Sequence, residues 1–374
     1  MTLQLWSHGG TPEERTALNA SITAFHTAHR DVDVQVKIVS EGDYTTTLQE
    51  AVAAHQAPDV MDIDGPVIAS FAAQDALRPL DALLPGKVVT NLSATLRAQG
   101  TWHQHLWAAG QFDSGLGIWA DLRALHQAGI RVPSGPTDAW TATEFTHVLR
   151  RLAARDPDHR VLDLKLDYGK GEWMTYGFYP LVTSAGGDIQ QLDTRPVLDV
   201  LTALSSWRPY VDADGDGRAF TSRRAPLSWV GHWTYPDYRA ALGNDLTLLP
   251  LPDFGHGSKT GSGSWAWAVS ARTQHAAAAG ELLTWFERDS EVARITAANG
   301  ALPGTATALR QSPLDDADNP LHLYVAQRAA DGAVSRPTTP DYPTLTAAFG
   351  GAVYAVLQGQ SPSTAQEHAV HATA

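Results

Sequence analysis

The sequence predicts an α/β protein of two lobes, each a mainly parallel sheet flanked by helices, and three observations predict it. Strand-like and helix-like segments alternate from the amino end, the pattern of βαβ units and hence of parallel strands with right-handed crossovers. The 374 residues exceed what one hydrophobic core usually fills, so two lobes are expected. The residues just past each strand-like run are small or polar, and the carboxyl ends of strands are where open α/β sheets meet their ligands.

Composition narrows the classes. With 43% hydrophobic and 18% charged residues the chain is an ordinary globular protein. A formal charge of −13, with no Lys/Arg-rich run to offset it, argues against nucleic acid or an anionic membrane as partner. There is no Cys, which leaves the compartment open. No apolar run approaches the roughly 20 residues of a membrane span. Met1-Thr2-Leu3-Gln4-Leu5-Trp6 reads as a strand rather than the basic start of an export signal, so any such signal is expected to have been removed.

In chain order, Thr2 to Trp6 is a strand, Glu13 to His29 a helix with Leu18, Ile22 and Phe25 at helical spacing, and Val32 to Val39 a second strand. Tyr44 to Gln56 is the next helix, Pro58 to Ile63 the third strand, and Val67 to Ala73 an apolar helix. The strand-end candidates are then Ser7, His8, Gly9 and Gly10, Ser40 and Glu41, and Asp62 and Asp64. For each, an ordinary polar loop is the competing reading. Trp102 to Ala109 reads as a hairpin, Gln111 to Gly115 with Asp113 as a Gly-bracketed hinge, and Leu116 to Trp119 as a strand, with Asp121 capping the next helix. Arg131 to Ala139 is a surface loop, and Thr141 to Ala154 a helix whose Thr141 and Glu144 form a capping box.

Gly169-Lys170-Gly171-Glu172-Trp173 precedes a long apolar helix ending at Gly186-Gly187, and an acid beside a Trp at a helix start suits a ligand wall. Helix Arg195 to Trp207 leads to Asp212-Ala213-Asp214-Gly215-Asp216-Gly217, which has the acidic spacing of a calcium loop but Arg223 where the bidentate Glu belongs. An acidic turn is the default there. In Pro226 to Tyr235, Leu227 to Val230 is a buried strand broken by Gly231, which delivers His232 and Trp233 beyond the strand end. A core strand with an ordinary turn is the alternative. Leu246 to Leu249 is strand-like, Phe254 to Gly263 a loop, and Ser264 to Val269 a strand with Trp265 and Trp267 on one side. Helices follow at Ala276 to Arg288, Ser290 to Ala298, Asn319 to Ala330 and Asp341 to Gln358, and Arg336-Pro337-Thr338-Thr339-Pro340 fixes one arginine before the last.

Catalytic signatures are absent: no G-x-S-x-G, H-E-x-x-H, G-x-x-x-x-G-K-[ST], or G-x-G-x-x-G between strand and helix. Lys259-Thr260-Gly261 has no accompanying S-x-x-K. His103/His105 and His368/His371 lack carboxylate or thiol company, so neither metal nor cofactor is expected. What remains is aromatic rings set beside Asp, Glu, His and Arg, which suits sugars, whose C–H faces stack on rings and whose hydroxyls need paired donors and acceptors.

Ala57 to Val60 (A-P-D-V), Ala76 to Asp81, Ile118 to Leu122 with Ala128-Gly129-Ile130, Ala139 to Phe145, Ser184 to Asp188, S-W-V-G-H-W and R-P-T-T-P-D-Y-P from Arg336 occur in an order that resembles the extracellular solute-binding proteins of ABC sugar importers. The resemblance, to the maltose-binding-protein-like family 1, covers nearly the whole chain. It implies a two-lobed periplasmic-binding-protein-like fold with a sugar cleft at the hinge. By its landmarks the lobes are discontinuous, 1–110 with 268–312 and 111–267 with 313–374. It also implies an extracytoplasmic monomer that passes a di- or oligosaccharide to a membrane permease, with no cofactor and no nucleic acid. The family's lipid-attachment Cys is missing, as expected if a leader has been removed. The residues it carries over are Asp62, Asp64, Asp113, Trp233 and Trp265, with Glu172, Trp173 and Arg336 on looser matches; His8, Glu41 and His232 join them as strand-end candidates. The competing reading is a carbohydrate hydrolase using two of Asp62, Asp64, Asp113 and Glu172 as acid and base.

Overall fold

The first strand, β1 (Thr2–His8), turns Leu3, Leu5 and Ser7 inward and the residues between them outward. It pairs in parallel with β2 (Asp33–Val39) over its whole length and with β3 (Val60–Asp64) through Leu5 and Trp6. Strand Trp265–Val269 then adds antiparallel to β3, setting Trp265 opposite Asp64, and Ala108–Ala109 closes the edge. Helix α1 (Pro12–Ala28) starts in a capping box, Thr11 with Glu14, with Pro12 in its first turn where no N–H is needed. It buries Leu18, Ile22 and Phe25 in a core shared with Leu282, Leu283 and Phe286, and α2 (Glu41–Ala53) buries Tyr44 and Leu48.

The computed structural model describes residues 1–373 and divides into two units. The first takes Met1–Ser114, Gly263–Asp315 and Thr338–Tyr342, and the second Gly115–Ser262, Asp316–Pro337 and Pro343 onward. The sequence boundary at 267/268 cuts a strand that the structure keeps whole. Hydrogen bonding to β3 holds all of Trp265–Val269, and so Trp265, in the first unit.

The second unit has a four-stranded sheet in the order Leu246–Leu249, Leu116–Asp121, Leu227–Gly231, Leu162–Asp163. It is mixed rather than mainly parallel. Leu116–Asp121 runs antiparallel to both neighbours, because it opens the unit with no preceding helix to carry the chain back across the sheet. Trp119, Trp140, Trp207 and Trp229 are fully buried, and each indole N–H has a partner: Gly231 O, Arg131 O, Thr146 Oγ1 and Gly177 O. These four are core, as large rings with a satisfied polar edge usually are. The expected helix from Glu172 to Gly186 is interrupted into Glu172–Tyr176 and Tyr179–Ser184, since Pro180 has no N–H to continue the ladder.

The Asp212 to Gly217 turn is filled by an arginine rather than shaped for a cation. Arg224 reaches Asp212 at 3.3 Å and Asp216 at 2.7 Å, and among the described residues no three His, Asp or Glu side chains converge on a metal position. No described helix is long and apolar enough to cross a membrane.

Candidate ligand-binding site

In the first unit the site is built at the carboxyl ends of β1 and β3 and at the start of Trp265–Val269. Asp62 is only 2% exposed, and its carboxylate accepts from Ser7 Oγ (3.0 Å), the His8 backbone N–H (3.0 Å) and His8 Nδ1 (2.6 Å). Tyr44 donates to the Asp62 carbonyl at 2.8 Å from beneath. With three donors already on it, Asp62 holds His8 in place.

The His8 ring lies flat on Trp265, with centroids 4.0 Å apart and planes 6° from parallel, while Tyr44 meets Trp265 edge-on at 5.5 Å. Burial alone would lower the imidazole's pKa. The Asp62 carboxylate outweighs it, with help from Glu41 and Glu14, and the pKa is pushed up to about 9. At neutral pH the ring is an imidazolium with one N–H spent on Asp62 and Nε2–H left as the second donor.

Glu41 opens α2 on the exposed side and accepts weakly from Gly10 N–H at 3.4 Å. Arg15 fixes the Gly9–Gly10 turn by donating to both carbonyls, at 2.7 and 2.8 Å. Asp64, half-buried, sits opposite Trp265 in the register. Asp113 is 1% exposed and accepts the Gly263 N–H at 2.7 Å, so it braces the backbone ahead of Trp265. Gln99 completes that brace by donating to the Ser264 carbonyl (2.7 Å) and accepting its N–H (2.9 Å). Nothing about a glutamine within a short helix marks it in the sequence.

In the second unit, strand Leu227–Gly231 ends in the 3₁₀ turn His232–Thr234. A Cβ at Gly231 would stand 2.1 Å from the Trp233 ring, so a larger residue there would displace that ring. Trp233 is half-buried, and its indole N–H donates to Tyr168 Oη at 3.0 Å. Trp173 meets it edge-on at 6.3 Å, Tyr176 lies 6.4 Å away, and His232 is edge-on at 5.2 Å. His232 itself is 2% exposed and backs the platform.

Trp173 is likewise interior, its N–H given to the Leu164 carbonyl at 2.9 Å, and it supports Trp233. Glu172 accepts from Arg336 Nη1 and from Thr346 Oγ1, both at 2.6 Å, and the Arg336 guanidinium lies 4.7 Å above the Tyr176 ring. The sequence did not single out Tyr168 or Tyr176. The signal available was position: Tyr168 directly precedes the Gly169–Gly171 segment, and Tyr176 lies one turn after Glu172.

Each unit thus presents a braced indole, Trp265 beside the His8–Asp62 pair in the first and Trp233 beside Tyr176 and its Arg336 guanidinium in the second. Residues 9–293 match the family described as bacterial extracellular solute-binding protein. The chain belongs to that family. Its members bind solutes and are not enzymes, and the hydrolase reading has no support. A curated relative from Streptomyces antibioticus, an uncharacterized lipoprotein encoded in the oleD 5′ region, is 22% identical over 333 residues, which is 85% of this chain and 73% of the relative. Among solved structures, the GacH receptor of Streptomyces glaucescens, described unliganded and with acarbose and an acarbose homologue, superposes with a TM-score of 0.84 at 22% identity, covering 100% of this chain and 97% of its own. The MalE maltose/maltodextrin-binding domain of Bdellovibrio bacteriovorus, bound to maltotriose, gives 0.81 at 17%, covering 100% and 98%.

Proposed function

We propose that this protein is the sugar receptor of a bacterial ABC importer, which captures a di- or oligosaccharide outside the cytoplasm and hands it to a membrane permease. The observation that carries this reading is the pair of aromatic platforms, Trp265 under the His8 imidazolium in one unit and Trp233 ringed by Tyr168, Trp173 and Tyr176 in the other. One indole suffices for one pyranose face, and each unit supplies one. Structural neighbours whose names record acarbose and maltotriose support the same substrate class. The ligand-contacting residues on this reading are His8, Glu41, Asp64, Trp233, Trp265 and Tyr168. Asp62, Asp113, Glu172, Trp173, His232 and Arg336 position them.

Titration calorimetry against maltose, maltotriose, mannobiose and mannotriose, with a reducing-sugar assay on the same samples, tests the reading. Saturable binding of at least one oligosaccharide to one site, without turnover, is expected. Failure of all four to bind, or release of reducing sugar, would refute it.

A further inference from the structure

Behind His8 the first unit contains a pocket with about 50 Å³ open to a water-sized sphere. It runs beneath the Gly9–Gly10 turn, between α1 and helix Asp289–Asn299, and Trp265 and Asp62 also line it, so it adjoins the platform. At its wall Ser21 is 5% exposed and its hydroxyl has no hydrogen-bond partner. Apart from His8 Nε2–H, the other charged and amide side chains around it are engaged. Glu14 accepts from Thr11 N–H and Asn299 Nδ2, Arg15 donates to the Gly9 and Gly10 carbonyls, and Glu291 pairs with Arg294 at 3.0 Å. Gln111 donates to the Phe286 carbonyl and accepts from Trp267 Nε1. A buried hydroxyl left without a partner costs free energy, so the wall favours an occupant that pairs with it.

We propose that this pocket is a specificity subsite for the exocyclic hydroxymethyl group of a hexose, with Ser21 Oγ as its hydrogen-bond partner. The inference rests on the sugar-receptor reading and adds which part of the sugar the first unit selects. Size decides against a whole ring. At roughly 10–15 Å³ of such space per water, the pocket takes about three to five non-hydrogen atoms, whereas a pyranose has more than twice that many. Charge decides against an ionic substituent, because the three carboxylates that line the pocket, Glu14, Asp62 and Glu291, balance the three cations Arg15, Arg294 and His8, so no net charge is left to attract one. The remaining wall, Ala17, Leu18, Phe112, Phe286 and Ile295, is apolar and suits a CH₂.

The test uses the full chain and two kinds of probe. In calorimetry, maltotriose is compared with its analogue lacking the 6-hydroxyl on every ring. Wild type is expected to bind the deoxy analogue about three- to tenfold more weakly, the yield of one net hydrogen bond. Ser21→Ala removes the hydroxyl without adding bulk and should bind the two equally. Ser21→Val, which fills the pocket, should weaken maltotriose further. Equal affinities in wild type, or a preference that survives Ser21→Ala, overturn the subsite while leaving the sugar-receptor reading intact. The second probe, ethylene glycol, is independent of that reading. In soaked crystals it is expected in the pocket within hydrogen-bond distance of Ser21 Oγ and absent from Ser21→Val. If neither trisaccharide binds, the oligosaccharide reading fails on its own and the soak decides the pocket. An empty or water-only pocket in the soaked wild type refutes it.

Discussion

Asp62→Asn isolates what the buried carboxylate does. In the folded chain His8 titrates near 9 instead of at its ordinary 6.5, because Asp62 outweighs the opposing effect of burial. A histidine whose folded pKa is raised gives stability that is fully present below about 6.5 and is lost as pH rises through about 9. The shift of about 2.5 units corresponds to roughly 3 kcal/mol at 1.36 kcal/mol per unit. That is an upper figure, since the imidazole retains 12% exposure. Asparagine keeps the shape and removes the charge. Urea unfolding of both proteins from pH 5.5 to 9.5 should show the variant less stable by up to about 3 kcal/mol at the acid end, with the gap closing through pH 9. Maltotriose affinity should fall alongside, because a neutral His8 is no longer locked flat on Trp265. Parallel stability curves across the whole range would refute the ion pair as the source of the shift.

Three further outcomes are expected. Trp233→Ala should weaken oligosaccharide binding by about 1–3 kcal/mol in calorimetry and, because the ring is half-buried against Trp173 and Tyr176, also lower unfolding free energy by about 1–2 kcal/mol; unchanged affinity would remove it from the site. Glu287 is 4% exposed with neither carboxylate oxygen partnered, and burial pushes it from 4.5 to about 8. The neutral acid is therefore the folded form below pH 8, stability falls as pH rises from about 4.5 through 8, and Glu287→Gln should gain about 3 kcal/mol at pH 7 and flatten the denaturation profile over that window. Gly115→Ala puts a Cβ 2.3 Å from the Tyr324 ring and should cost about 1–3 kcal/mol, a cost that Tyr324→Leu relieves if that contact is its cause; a double-mutant cycle on chemical denaturation measures the coupling.

The sequence by itself determined the α/β alternation, the order of the family's landmarks and the strand ends at which His8, Asp62 and Trp233 stand, because period and breaker residues act over a few neighbours along the chain. The break at Gly231 was legible for the same reason: strand and turn lie side by side in the sequence. What only the tertiary structure decided is which of those side chains is presented and which is consumed. Asp62, Asp113 and Glu172 look alike as acids in polar loops. Yet Asp62 is taken by His8, 54 residues away, Asp113 by the Gly263 N–H, 150 away, and Glu172 by Arg336, 164 away. The unit that owns Trp265 was likewise settled by pairing with β3, some 200 residues earlier, and the pocket at Ser21 exists only because α1 and helix Asp289–Asn299 pack together. A local pattern can say that a residue is polar and near a strand end. The donor that reaches it first comes from a distant segment, and folding alone fixes that meeting.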